Sequence, residues 1–254
     1  MLNIIIIKCL SDNFSYLIRD EKTNTVGVVD PSEFEAVDFE ISKTYKKLDF
    51  ILNTHHHQDH IGGNRDLKKK YNAKVICSSY DKKIIPDNDI NKNDGDNFSF
   101  GETNFKIIHI PGHTNGHIAY YSKKNDIIFT GDTLFSLGCG RIFEGTFKQM
   151  FESLEKIKNL PKNTMIYCGH EYTKKNGEFC ISIDSENQNL KRRIQEVINR
   201  NKKNEPTIPV SLNKEIETNI FLRCENEQIK NNLKMLNNSK FEVFKKLRNL
   251  KDKF

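Results

Sequence analysis

Short apolar runs separated by polar stretches dominate the first two thirds of the chain. Runs of this length that are rich in valine, isoleucine and aromatic residues are typical of β-strands. The runs with this pattern are IIII (residues 4–7), YLI, TVGVVD, LDFILN, KVICSS, FKIIHI, IAYYS, DIIFT and TMIYC. We expect residues 4–7 to form a buried strand that pairs with YLI across a polar SDN turn.

Two segments between these runs, GGNRDLKKKY and FKQMFESLEKIKNL, have helical periodicity instead. In the second segment, Phe151, Leu154 and Ile157 recur at intervals that place them on one face of a helix. Strands that outnumber the helices and are interspersed with them favour a layered α/β domain.

The pattern changes after Thr173, where strand-like runs give way to helical ones. Ser185 and Gln188 have capping-box spacing at the start of a segment with an apolar stripe. That stripe consists of Leu190, Ile194, Val197 and Ile198. Ser239 and Glu242 repeat the capping box at the start of the last helix. We therefore predict a small all-helical domain in this part of the chain.

Composition narrows the class of protein only slightly. The 254 residues carry a net charge of +6, which suits an anionic substrate and also fits a lysine-rich surface. Lysine and arginine form no long block, so a nucleic-acid-binding arm is not indicated. The six cysteines, none in a C-x-x-C pair, are expected to be small buried side chains of a cytosolic protein. The isoleucine run is too short for a membrane span and lacks the flanks of a signal peptide.

The stretch NTHHHQDHIGG contains four of the chain's eight histidines within six positions, together with Asp59. An apolar run, FILN, leads into it and two glycines follow, which is typical of a strand that enters a tight loop before a helix. Open α/β structures usually bind ligands at such strand ends. A solvated loop with incidental metal affinity is the alternative for this stretch taken alone.

The same arrangement recurs after three more expected strands, where His113, Asp132 and His170 each follow a glycine. Glycine permits a sharp turn and a close approach of the backbone. Together the four loops supply seven candidate metal ligands: His55, His57, Asp59, His60, His113, Asp132 and His170. Seven ligands are too many for one ion and suit two ions that share a carboxylate. Imidazoles mixed with carboxylates suit zinc, iron or manganese, and we expect two divalent ions, with zinc as the first choice.

The motifs THHHQDH, PGHTNGH, FTGDTLF and CGHEYT resemble the ordered motifs of the metallo-β-lactamase-fold hydrolases. Within that superfamily, GCGRIFEGT, CGHEYT and TNIFLR resemble glyoxalase II, the hydroxyacylglutathione hydrolases. The resemblance implies an α/β fold, a metallo-β-lactamase-like αββα four-layer sandwich with a small C-terminal all-helical domain. It implies a catalytic domain over residues 1–173 and a helical substrate-binding domain over residues 174–254.

The resemblance also implies a role for each ligand. The first metal would be held by His55, His57 and His113, the second by Asp59, His60 and His170, with Asp132 as the bridge. The implied reaction is hydrolysis of glutathione thioesters, such as S-D-lactoylglutathione to D-lactate and glutathione. Its nucleophile is a metal-bridging hydroxide, and Asp59 and Asp132 are the catalytic side chains.

By the same resemblance, Arg141, Phe143 and Tyr172 line the glutathione pocket, while Arg248 and Lys251 meet the glycine carboxylate. A solvated helix face is the alternative for the last two. Many relatives have KFY where this chain has RIF, so Phe143 lacks a hydroxyl. The missing hydrogen bond is worth about 0.5–1.5 kcal/mol.

Four further residues are expected to lie near the ligands without joining them. His56 should point away from the ions, and His109 should be a core residue or support a ligand. We expect His117 and Asp30 to orient ligands through hydrogen bonds, as metal centres require.

Three alternatives stay open. A persulfide dioxygenase of the same fold would use one iron, a metal-dependent nuclease would draw on the net charge of +6, and a binding module would have lost catalysis. The full ligand set and the long helical tail favour the hydrolase. Its expected partner is a small-molecule glutathione thioester, with no nucleic acid and no membrane, and the protein is expected to be a cytoplasmic monomer.

Overall fold

A computed structural model describes residues 1–254 and shows an α/β fold. The strands are β1 (Leu2–Cys9), β2 (Asn13–Asp20), β3 (Thr25–Val29), β4 (Phe50–Leu52), β5 (Lys74–Ser78), β6 (Ile90–Lys92), β7 (Asn97–Phe100), β8 (Thr103–His109), β9 (Ile118–Ser122), β10 (Ile127–Gly131), β11 (Leu134–Phe135), β12 (Gly138–Cys139), β13 (Met165–Cys168) and β14 (Val210–Ser211). The α-helices are α1 (Phe34–Lys43), α2 (Gln58–Ile61), α3 (Asn64–Tyr71), α4 (Phe147–Lys158), α5 (Thr173–Ile183), α6 (Gln188–Lys202), α7 (Leu212–Thr218), α8 (Glu227–Asn232) and α9 (Lys240–Lys251). A 3₁₀ turn spans Ile220–Leu222.

Two six-stranded sheets face each other, with strand orders β1-β2-β3-β4-β5-β6 and β14-β13-β10-β9-β8-β7. Side chains alternate between the two faces of each strand. Tyr16 and Ile18 therefore pack between the sheets with Tyr120 and Phe129, while Leu17 packs on the outer face of the first sheet. Helices α1 and α3 cover that outer face, and α4 with the C-terminal helices covers the other sheet. The result is the expected αββα sandwich.

Every apolar run that the sequence marks as a strand is a strand. The structure adds β6, β7, β11, β12 and β14, which have two to four residues each and lie outside the apolar runs that mark the other strands. The prediction that residues 4–7 are buried is wrong for all but Ile7. β1 is the edge strand of its sheet, and the rest of the isoleucine run stays half-buried.

The helix starts follow cap chemistry. Ser239 and Glu242 form the expected capping box of α9. The capping box expected at Ser185 is wrong, because the N-cap of α6 is Asn187, whose side chain accepts hydrogen bonds from the backbone nitrogens of residues 189 and 190. Asparagine is among the strongest N-cap residues, and Ser185 lies in the turn before it.

The C-terminal segment is helical apart from β14, which pairs with β13 and extends the second sheet. One core cluster joins the two parts of the chain: Ile128 and Ile166 of the sheet share it with Leu190, Phe221 and Phe244. No helix combines the length and the apolar character that crossing a lipid bilayer requires.

Candidate metal centre

All seven expected ligands lie together at one end of the two sheets. The segment between β4 and α3, which includes the short helix α2, carries four of them, and the loops that follow β8, β10 and β13 carry the other three. Glycine is needed where those loops meet. A Cβ atom on Gly169 would lie 2.2 Å from Oδ1 of Asp132 and 2.7 Å from Cε1 of His60, and Gly131 has a φ of +46°. The chain can therefore bring the ligands together only with glycine at these points.

The first cluster, which we call cluster 1, consists of His55, His57 and His113. Its potential ligand atoms all lie within 4.8 Å of one another, and Nε2 of His113 is 3.0 Å from Nδ1 of His57. His55 is buried, and its Nε2 has no hydrogen-bond partner. A buried polar atom without a partner carries a free-energy cost that a bound cation would remove.

The second cluster, cluster 2, consists of Asp59, His60 and His170. The two Nε2 atoms of His60 and His170 are 3.3 Å apart, and Oδ2 of Asp59 is 3.3 Å from Nε2 of His170. Three donors from two separate loops thus face one point.

Asp132 lies between the two clusters. Its Oδ1 is 3.3 Å from Nε2 of His60, while its Oδ2 is 3.2 Å from Nε2 of His170 and 3.5 Å from Nε2 of His113. One carboxylate therefore faces rings of both clusters. Imidazole and carboxylate donors in this number suit two first-row metal ions, so the residues present fit a binuclear metal site.

The two clusters differ in electrostatics. Burial and the neighbouring rings hold the pKa of His55 well below its usual range, and burial also lowers the pKa of His57 and His113. In cluster 2, burial acts in the same direction but the carboxylates outweigh it. The charge of Asp132 raises the pKa of His170 to about 10 and that of His60 well above its usual range.

Two supporting residues lie where the sequence placed them. Oδ2 of Asp30 is 3.1 Å from Nδ1 of His60. The two carboxylate oxygens of Asp30 also accept hydrogen bonds from the backbone nitrogen and the hydroxyl of Thr54. Nε2 of His117 accepts a hydrogen bond of 3.1 Å from the backbone nitrogen of Asp132. The predicted ligand-orienting role of both residues is consistent with these contacts.

The other two histidines lie outside the ligand set. His56 points away from the clusters, as expected, and contacts Oδ1 of Asp81 and Oε1 of Glu144 at 3.2 and 3.1 Å. The prediction for His109 is wrong. It is the last residue of β8 and pairs with Ile118, but its side chain is half-buried and stacks on Tyr80 at 4.7 Å, away from the core and from the ligands.

Sequence reasoning missed Asp12, in the turn between β1 and β2, and Asn13, the first residue of β2. Oδ1 of Asp12 is 2.8 Å from Nδ1 of His170, and the Asn13 side chain donates a 3.0 Å hydrogen bond to Oδ2 of Asp59. The letters SDN looked like an ordinary polar turn. The available signal was that this turn, too, joins two strands at the rim of the sheet.

An open cavity of about 770 Å³ leads to the ligands. It is lined by every residue that the sequence assigned to substrate binding: Arg141, Phe143, Tyr172, Arg248 and Lys251. Tyr172 stacks on the ring of His170 at 4.6 Å, and the edge of Phe143 approaches His113 at 5.2 Å. The cavity wall and the metal clusters are therefore continuous.

The two cations of α9 do not lie on a solvated helix face. Arg248 is only 3% exposed and donates hydrogen bonds to the backbone oxygen of Cys139 at 2.7 Å and to Asp252 at 2.9 Å. The Lys251 ammonium lies over the rings of Phe179 and Phe254, 5.2 and 5.1 Å from their centres. Burial and the charge of Arg248 lower the pKa of Lys251.

All six cysteines are buried and unpaired, as expected. Burial raises the pKa of the Cys168 and Cys180 thiols to about 12. Thiols with such values are not activated nucleophiles.

Two protein-family models match successive parts of the chain. The metallo-beta-lactamase superfamily matches residues 11–170, and the hydroxyacylglutathione hydrolase C-terminus matches residues 171–254.

Two relatives that match nearly the full length of the chain are named hydroxyacylglutathione hydrolase. The hydroxyacylglutathione hydrolase of Pelagibacter ubique is 52% identical over 251 residues, which is 98% of each chain. That of a Chelativorans species is 42% identical over 97% of this chain and 96% of its own. Among solved structures, ETHE1 from Myxococcus xanthus covers 98% of this chain and 91% of its own with a TM-score of 0.68 at 24% identity, a similarity that shows the fold.

Proposed function

The chain belongs to the hydroxyacylglutathione hydrolases of the metallo-β-lactamase superfamily, and from that premise we propose that it hydrolyses glutathione thioesters at a binuclear metal centre. The observation that carries the proposal is the position of Asp132, whose carboxylate faces both clusters at the inner end of a cation-lined cavity. The dioxygenase and nuclease alternatives are not favoured, since relatives that match the whole chain are named as hydrolases.

We assign the first ion to cluster 1, the second to cluster 2, and the bridging role to Asp132. Zinc is the proposed metal, because imidazole and carboxylate donors without thiolate suit it, although the same donors suit iron and manganese. Such ions, when bound, lower the pKa of water to about 7 and polarise a carbonyl group.

The chain's own catalytic side chains are Asp59 and Asp132. Both are held as carboxylates, because the pKa of Asp59 is lowered by its hydrogen bond to His170 and that of Asp132 by the charges of His60 and His170, which outweigh burial. They can therefore serve as ligands at neutral pH. A thioester suits this site, since a thiol of pKa about 8.5 leaves without an acid to protonate it.

The proposed substrate, S-D-lactoylglutathione or a related thioester, presents two carboxylates. We propose that Arg141, whose side chain is 63% exposed in the cavity, and the half-buried Lys251 meet them. The substrate would replace the 3.7 Å ion pair of Arg141 with Asp252 and the 3.2 Å hydrogen bond of Lys251 to the backbone oxygen of Lys175. The Arg248 guanidinium already donates hydrogen bonds to Cys139 and Asp252, which hold it in place. We propose that it binds substrate in this fixed position. Phe143 and Tyr172 form the walls beside the ligands.

The test is a thioester hydrolysis assay joined to metal analysis of the same sample. We expect two ions per chain and thiol release from S-D-lactoylglutathione. The variant Lys251→Ala should raise KM with a smaller effect on kcat. Lys246→Ala, an exposed lysine on the same helix, is the matched control. Metal-loaded protein without turnover on any glutathione thioester would refute the proposal, and unchanged KM in Lys251→Ala would refute the pocket.

The proposal also covers the domain organisation, the cellular location and the oligomeric state. We propose residues 1–173 as the catalytic domain and residues 174–254 as the substrate-binding domain, which the two successive family matches support. A cytoplasmic location is supported by six unpaired cysteines, because reducing compartments keep thiols free. The monomeric state stays a prediction that light scattering would check.

A further inference from the structure

The segment from Asp132 to Arg141 contacts residues of both cluster 1 and cluster 2. It begins at Asp132 and ends at Arg141, whose backbone oxygen is 2.8 Å from Nδ1 of His113. Between these two points the chain forms the small hairpin of β11 and β12. The path of this hairpin therefore determines the positions of two groups. One is the Asp132 carboxylate, and the other is the Arg141 backbone oxygen that orients His113 of cluster 1.

The hairpin cannot hold its own shape. Its strands have two residues each, and isolated hairpins of two strands are marginal in water even when longer. Something outside it must satisfy its backbone groups, since Leu134–Cys139 is buried throughout.

Buried polar side chains of the C-terminal segment supply that support. Glu215 of α7 is 0% exposed. Its Oε1 accepts a 2.8 Å hydrogen bond from the Ser136 hydroxyl, and its Oε2 accepts a 2.8 Å bond from the backbone nitrogen of Leu137. Every contact of this carboxylate is with a donor, so it suits the ionised form although burial raises its pKa.

Asn219 extends the same network. Its side-chain nitrogen lies 3.3 Å from the backbone oxygen of Phe135, 3.1 Å from that of Gly138 and 3.0 Å from Oε2 of Glu215. Arg193 adds a 3.1 Å hydrogen bond to the Ser136 hydroxyl. A buried carboxylate is costly unless such donors surround it, and a hydrophobic residue of similar size could fill the space at less cost. Its presence therefore points to a geometric task.

We propose that Glu215 is a positioning residue for the metal centre: it fixes the Leu134–Cys139 hairpin and thereby the relative placement of Asp132 and His113. The inference rests on the proposed metal centre. It assigns the C-terminal segment a role in building the ion site, in addition to lining the substrate cavity.

The test compares two substitutions of Glu215. Glu215→Leu removes all three acceptor contacts, whereas Glu215→Gln keeps an acceptor for Leu137 and Asn219 and leaves the Ser136 hydroxyl free to reorient. We expect Glu215→Leu to weaken metal binding by about 10- to 100-fold, the range for residues that orient ligands, and Glu215→Gln by about threefold or less. Chelator competition measures the affinity, and the visible spectrum of the cobalt-substituted protein reports the ligand geometry.

A matched control separates positioning from stability. Asp184 is equally buried in the C-terminal segment but contacts Arg223 and Asn187 and does not touch the hairpin. Asp184→Asn should lower the unfolding midpoint while metal affinity and the cobalt spectrum stay as in the parent. If Glu215→Leu does not fold, Ser136→Ala removes two contacts of the same network, those with Glu215 and Arg193, and should change the spectrum in the same direction.

The outcomes distinguish the inference from its premise. A parent protein that binds no metal overturns the proposed function and this inference with it. A parent that binds two ions, with Glu215→Leu and Ser136→Ala identical to it in affinity and spectrum, overturns the inference alone. So does an Asp184→Asn variant that loses metal as strongly as Glu215→Leu.

Discussion

The two ligand clusters offer similar donors in opposite surroundings. Nδ1 of His55 lies 3.0 Å from the Thr54 hydroxyl, and that of His113 contacts a backbone oxygen, so both supporting groups of cluster 1 are neutral. In cluster 2, the corresponding nitrogens of His60 and His170 contact the carboxylates of Asp30 and Asp12. Burial therefore keeps the rings of cluster 1 unprotonated and ready for a cation, while cluster 2 holds protons that a cation must displace.

Removal of the shared carboxylate of Asp132 should affect both clusters alike. Asp132→Ala takes a donor from between the clusters, so we expect both ions to be lost and turnover with them. The loss should exceed the roughly 100-fold effect typical of a residue that only orients a ligand. Metal content per chain and thioester hydrolysis are the measurements, and an active variant that retains both ions would show that Asp132 does not link the clusters.

A substitution confined to cluster 2 should separate the metal binding of the two clusters. Asp59→Asn removes the charge that lies 3.3 Å from Nε2 of His170 and leaves cluster 1 untouched. We expect the metal content to fall from two ions to one. If both ions remained, the charge of Asp59 would not be needed to hold the second ion, and if both disappeared, the clusters would not bind independently.

Each supporting residue should act most strongly on the cluster whose ligand it contacts. Asp12→Asn weakens the acceptor behind His170, so we expect the second ion to bind about 10- to 100-fold more weakly and the first to be unaffected. Thr54→Val removes the hydroxyl beside His55, which also donates to Asp30 behind His60, so we expect it to weaken the first ion most and the second to a smaller degree. Two-step metal titrations of both variants check the pairing, and a larger shift in the same step for both would contradict it.

The smallest expected effect is a pH dependence of metal affinity, which differs between the clusters because metal binding releases protons from cluster 2. His170 has a raised pKa of about 10, so in metal-free protein its contribution to stability is complete below about pH 6.5 and is lost as the pH rises through 10. Metal binding must displace that proton, so affinity for the second ion should rise by up to about tenfold per pH unit in this window. Cluster 1, with lowered pKa values, should show little change above pH 6.5. Chelator competition at several pH values measures both slopes, and equal slopes would reject the difference.

The sequence predicts the ligands better than their surroundings. His55 and His170 follow strands that period-two patterns and glycines reveal, so their convergence can be anticipated. Asp12 could not be found this way, because its contact with His170 joins residues 158 positions apart. Glu215 is equally hidden, since it lies on a short helix and nothing local shows that its partner is a hairpin 78 residues earlier.

The same limit explains the errors in the fold. A short strand outside any apolar run, such as β14, leaves no pattern to detect, and the partial exposure of β1 depends on its place at the edge of the sheet. At the start of α6, two plausible caps compete, and only the path of the chain selects Asn187.

The pairing of β14 with β13 has a consequence for biosynthesis. Because chains begin to fold from the N-terminal end while the ribosome still extends them, the outer edge of β13 stays open until Val210 and Ser211 have emerged. Glu215 follows only a few residues later. A nascent chain should therefore carry all seven ligands without yet having a mature site, and ion capture becomes a late event in the life of the newly made polypeptide.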